Sequence, residues 1–170
     1  MTEQLPPEVE FEHDDFDFAT LEEELRVDER CQSLLNSYYH QLIIKGEDPQ
    51  IASERAFCAD RYLRDYLLDF ARLNVVQPVP GVIRRFAANW FITRTLDPDM
   101  AVLERYLEAI RELYAFLQSQ HFISREELAW LEDELGQTDY YRQRIQGFLA
   151  IKGDGYGAWE AECPLINNGE

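Results

Sequence analysis

The sequence predicts an all-α fold, a single domain built as an orthogonal bundle of about five or six helices. Three observations carry this reading. Apolar residues recur at spacings of three and four along most of the 170 residues, start and stop signals punctuate them at short intervals, and no stretch alternates as a strand would. Hydrophobic residues make up 46% of the chain and aromatics 13%, ample for a packed core, and the length suits one domain with tails.

Residues 1–19 combine Pro6-Pro7 with the run from Phe11 to Phe18, in which phenylalanines stand among acids without helical period. They read as an acidic-aromatic arm. Residues 20–153 read as the helical domain and 154–170 as a C-terminal tail. Thr20 and Glu23 have capping-box spacing. A stripe of Leu21, Leu25, Cys31, Leu34, Leu35, Tyr38 and Leu42 follows, weak near Val27-Asp28 and stopped by Gly46. Asp48-Pro49 supplies a cap and a first-turn proline for a helix running to Asn74, with Ala52, Ala56, Ala59, Leu63, Tyr66, Phe70 and Leu73 on one face.

A third helix, about 81–95, is apolar nearly all round and belongs at the centre. Asp97-Pro98 repeats the cap-and-proline signal before Met100, Leu103, Leu107, Ile110, Tyr114 and Leu117. Leu63, Phe86, Trp90, Leu107, Ile110 and Leu117 are the expected core. Ser124 and Glu127 open a short helix that stops at Gly136, and Thr138 caps a last one through Leu149. In each doublet, Tyr38-Tyr39 and Tyr140-Tyr141, one ring should point inward while the other lies at the rim.

Charge is distributed unevenly. Acids outnumber bases 33 to 16 for a net charge of -17, and the first 30 residues alone carry -10. Residues 55–94 reverse the sign at +4, through Arg55, Arg61, Arg64, Arg72, Arg84, Arg85 and Arg94. No apolar stretch approaches the roughly 20 residues of a membrane helix. Three widely spaced cysteines offer neither a zinc spacing nor a disulfide framework, which points to a reducing cytoplasm.

No catalytic constellation emerges. There is no His-Glu-x-x-His, no phosphate loop, no nucleophile elbow and no Gly-x-Gly-x-x-Gly. His13 with Asp14 and Asp15 reads as part of a solvated acidic run, Cys58 as a buried inert thiol, and Cys163 as an exposed one that lacks an activating base. The expectation is a protein without catalysis, cofactor or metal.

Residues 49–135 resemble the N-terminal, SAM-like core-binding domain of tyrosine recombinases and phage integrases. The likeness lies in ERAFCADRYLRDYLLDFARL and in VIRRFAANWFITRTLDPDMAVLERYLEAIRELYAFLQSQHFIS. It is densest at Tyr106-Leu107, Ala109-Ile110-Arg111 and Leu113-Tyr114-Ala115-Phe116-Leu117. The resemblance implies a helical fold and a DNA-facing surface. The chain departs from the pattern in its acidity and in having no room for a catalytic domain with its arginine, His-x-x-Arg and tyrosine.

Three functional readings stand open. One is a non-catalytic interaction or regulatory module that binds another protein or itself. The residues offered to a partner are Trp130, off the stripe of its helix, and Phe11, Phe16 and Phe18. The second is a DNA-binding protein of core-binding type using Arg61, Arg64, Arg84, Arg85 and Arg94, opposed at long range by the net charge. The third is an acidic mimic of nucleic acid that occupies a basic partner. The arginines are expected to pair with the protein's own carboxylates, and the arm to dock on the body with its acids at Arg61, Arg64, Arg84 or Arg85.

Overall fold

The computed structural model describes residues 11–165 and contains seven helices and no strand among them. They are α1 (Leu21–Ile44), α2 (Pro49–Asp60), α3 (Val82–Arg85), α4 (Met100–Ser119), α5 (Arg125–Leu135), α6 (Thr138–Leu149) and α7 (Tyr156–Ala161). α2 runs on into a π-helical stretch, Arg61–Phe70. α3 does the same over Phe86–Trp90 and closes with the turn Phe91–Thr93. α2 packs against both α1 and α4, and the α3 segment lies against α5 and α6.

Local chemistry sets most boundaries. The Thr20 hydroxyl accepts from the Glu23 amide, and the Asp48 carboxylate accepts from the Gln50 and Ile51 amides ahead of Pro49. Ser124 and Glu127 form the reciprocal capping box. Gly46, at φ 93°, ends α1 in the left-handed region with the Glu47 amide bonded back to the Leu42 carbonyl. The expected cap at Asp97 is displaced by two residues. Asp99 accepts from the Val102 amide, and Pro98 is buried just ahead of the helix. α3 has no cap of its own, so the Glu134 carboxylate reaches over from α5 to accept from the Gly81 and Arg84 amides, both at 3.1 Å.

The expected core is in place, with Leu63, Phe86, Ile110 and Leu117 fully buried and Trp90 and Leu107 nearly so. Tyr38 and Tyr141 point inward while Tyr39 and Tyr140 lie at the rim. On α1 the stripe differs from expectation. Val27, in the apparent gap, is buried, while Leu21 and Leu25 are exposed. Leu25 lies two residues from Val27 and so about 200° round the helix, on its outer face.

The two helices expected to be regular change register at their aromatic ends. The Ala71 amide bonds to the Tyr66 carbonyl and the Phe91 amide to the Phe86 carbonyl, each five residues back. This wider turn brings residues four apart more nearly above one another. Tyr62 stacks on Tyr66 at 5.6 Å, Tyr66 on Phe70 at 6.3 Å, and Phe86 on Trp90 at 5.6 Å. The first helix also ends earlier than Asn74, with Arg72 in the left-handed region.

Both arms depart from expectation. Residues 1–10 and 166–170 lie outside the described part. From residue 11 the N-terminal arm docks, but away from the expected arginines. Phe16 is fully buried, edge-on to Phe11 and Phe122 at 5.8 Å. The basic partners are Arg30, which donates to the Asp15 carbonyl, and Arg72, which grips Glu24 with both Nη atoms and lies 4.9 Å over the Phe18 ring. Asn74 donates to the His13 carbonyl and to Asp17.

The expected tail contains α7, whose Trp159 is buried, and Cys163 is also buried instead of exposed. Arg144, only 3% exposed, explains the closure. It donates to the carbonyls of Ala88 and Trp159 and lies 3.9 Å from the Trp159 ring, while the indole N–H returns a bond to the Arg144 carbonyl. One arginine so held fastens α7 across α6 and the α3 segment.

The phenylalanine that anchors the N-terminal arm should therefore behave as core. Phe16→Ala is expected to lower unfolding stability by about 3–5 kcal/mol in a urea titration, through lost burial and the cavity left behind. A midpoint equal to wild type would show that the arm contributes nothing.

Candidate functional site

Between α2 and α4 a groove of about 920 Å³ opens at the surface. Its apolar lining comes from Ile51, Phe57, Cys58, Ala101 and Val102, and its polar rim from Glu54, Arg55, Glu104, Arg105 and Glu108. Phe57 dominates it at 67% exposed. This exposure follows from helical phase, since Ala52 and Ala59 face the interior and Phe57 stands about 200° from Ala59. Three glutamates face two arginines on the rim, and one of these, Arg55, is held by Glu47 at 2.8 Å. Tyr106 closes one end of the groove.

Beyond Tyr106 lies an aromatic-arginine cluster. Arg61 Nη1 donates to the Tyr106 hydroxyl at 3.1 Å and Nη2 to the Arg94 carbonyl at 2.9 Å. The Arg61 and Arg94 guanidinium groups each lie 5.3 Å from the Trp90 centroid, and Arg94 also covers Phe70 at 4.6 Å.

The other expected residues are scattered. Arg64 is taken up by Asp60, both of whose oxygens it meets, and by Asp28 at 3.6 Å. Arg84 stacks over Tyr140 at 4.5 Å, and Arg85 folds back over Gly81. Arg64 thus pairs as expected, whereas Arg61, Arg84, Arg85 and Arg94 form no ion pair with any described carboxylate.

The expected partner-facing aromatics turn inward. Phe16 is buried, and Phe11, Phe18 and Trp130 are half-buried against the core. Phe57 takes the place that Trp130 was expected to hold. Its signal in the sequence was its position off the Ala52–Ala59–Leu63 stripe.

Among the described residues no group of three or more His, Cys, Asp or Glu side chains has the arrangement of a metal site, and no helix is long and apolar enough to cross a membrane. Cys58, on the groove wall, is no activated nucleophile. Burial, reinforced by the Glu54 charge, pushes its thiol up to about 11, which leaves it protonated at neutral pH. Burial likewise pushes Cys31 up to about 12.

No family model matches the chain, and no curated protein or solved structure does either.

The buried thiols make stability fall in alkali. Unfolded cysteines ionise near the ordinary value of 9.0, whereas Cys58 and Cys31 hold their protons to about 11 and 12 in the folded state. Tyr38, Tyr62, Tyr66, Tyr114 and Tyr141 are raised above 10.0 by burial in the same sense. The folded state therefore retains protons that the unfolded chain releases. The stability these groups contribute is complete below pH 9 and is lost as the pH climbs through their folded values. Urea midpoints should fall steadily as the pH rises from 9.0 to about 11, between the unfolded and the folded value of Cys58; a flat profile would contradict the burial of these groups.

Proposed function

We propose that this protein is a non-catalytic helical interaction module, and that its α2–α4 groove receives an amphipathic, basic helix of a partner protein. The exposure of Phe57 carries the reading. A large aromatic ring left two-thirds in water on the wall of a groove is an uncompensated cost that a docked apolar face removes. Two helices forming a trough with an apolar floor and a polar rim suit the helix-in-groove mode of recognition. The net charge of -17 favours lysines and arginines flanking the apolar face of the occupant.

A photo-crosslinking amino acid in place of Phe57 tests this in cells. The crosslink should map to an amphipathic segment rich in Lys or Arg. A synthetic peptide of that segment should gain helix by circular dichroism on binding the purified chain. Phe57→Asp should weaken the binding at least about tenfold and leave the urea midpoint in place, because the ring is exposed. Undiminished binding by Phe57→Asp would remove the groove from the reading, and a crosslink to a second copy of the chain would replace the partner with self-association.

A further inference from the structure

The cluster beyond Tyr106 has a chemistry that the groove does not use. Arg61, from the π-helical stretch after α2, and Arg94, from the end of the α3 segment, place two positive charges 5.3 Å from the centroid of one indole ring. In a chain whose acids outnumber its bases 33 to 16, neither meets a described carboxylate. The pair is also held in place. Tyr106 and the Arg94 carbonyl each accept one bond from Arg61, and Arg94 Nη1 donates to the Thr93 hydroxyl at 3.2 Å. A guanidinium has five N–H donors, so most of those on both side chains remain unspent.

Two neutral polar groups, one on Trp90 itself and one on Thr95 next to Arg94 in the chain, are unpartnered as well. The Trp90 indole N–H and the Thr95 hydroxyl are both buried with no hydrogen-bond partner, and Trp90 as a whole is 4% exposed. Buried polar groups are normally satisfied, and each one left over carries a desolvation cost. Two like charges against one ring, neither with a described carboxylate, add a Coulomb cost. A bound anion relieves the second of these.

We infer that Arg61 and Arg94, packed on the Trp90 ring, form a binding site for a phosphate monoester. The charge selects this class: a dianion neutralises two guanidinium groups where a carboxylate would neutralise one. Its three terminal oxygens suit forked donors arriving from two helices. The site stands on residues other than the apolar floor of the groove and does not depend on what docks there.

Calorimetric titration of the full chain with inorganic phosphate, at ionic strength held constant with sodium chloride, tests the site. Saturable binding is expected. Arg94→Gln, at an exposed position, should weaken it at least about tenfold, as the loss of a charge-assisted bond requires. Arg61→Lys, which keeps the charge and loses the fork, should weaken it severalfold, while Arg125→Gln on α5 leaves it unchanged. O-phosphoserine, titrated beside free phosphate, tests the ester: binding as tight as that of phosphate supports the inference, and exclusion of the ester overturns the monoester and leaves the site to the free ion. Absence of saturation up to tens of millimolar phosphate, or equal affinity in Arg94→Gln with an unchanged urea midpoint, overturns the inference. Arginine-dependent binding of duplex DNA tighter than that of either phosphate overturns the monoester and gives the arginines to a polyanion.

Discussion

The structure depends on the aromatic seam where the two π-helical stretches meet. Tyr62, Tyr66 and Phe70 form one column and Phe86 and Trp90 the other. The columns interlock, with Phe86 edge-on to Tyr62 at 5.1 Å and Trp90 against Tyr66 at 5.4 Å. Rings of this size cannot interlock unless their spacing along each helix suits the other. The register change from α to π provides that spacing, at the cost of less favourable backbone hydrogen bonds. Phe86 and Phe91 carry the seam on to Tyr106, and thus to α4.

A core rich in tyrosine has to satisfy its hydroxyls. Tyr62 and Tyr114, both fully buried, bond to each other at 2.6 Å. Tyr66 donates to the Val82 carbonyl at 2.8 Å and Tyr38 to the Ala109 carbonyl at 3.1 Å. Each of these bonds ties together elements far apart in sequence. The tyrosines therefore fix which helix meets which, where aliphatic side chains of equal bulk would tolerate sliding. The indole N–H of Trp90, in the same seam, is left without a partner, and Arg61 and Arg94 pack on its ring.

The chain closes this core at both ends with arginine instead of with further apolar bulk. Arg30 and Arg72 hold the N-terminal arm through a carbonyl and two phenylalanine faces, and Arg72 ties it to Glu24 of α1. Arg144 holds α7 through two carbonyls and an indole face. A planar, permanently charged fork can serve an aromatic face and several acceptors at once, which a lysine cannot do. This use accounts for a basic complement made almost wholly of arginine, with only Lys45 and Lys152 as lysines.

The sequence by itself determined the helical class, the caps at Thr20, Asp48 and Ser124, the stop at Gly46 and the inward face of α4, because each is a local event written within one helical turn. Phe57 was missed, because nothing local told its off-stripe position from an ordinary surface residue. Tertiary structure alone decided the rest. Glu134 caps a helix 50 residues away in the chain, the π register arises because two aromatic columns must fit each other, and the arm settles against Phe122 and Arg72 instead of Arg61, Arg64, Arg84 or Arg85. The groove and the arginine pair belong to this second kind. Both are properties of the space between α2, α4 and the α3 segment, and no periodicity within one helix encodes the space left beside it.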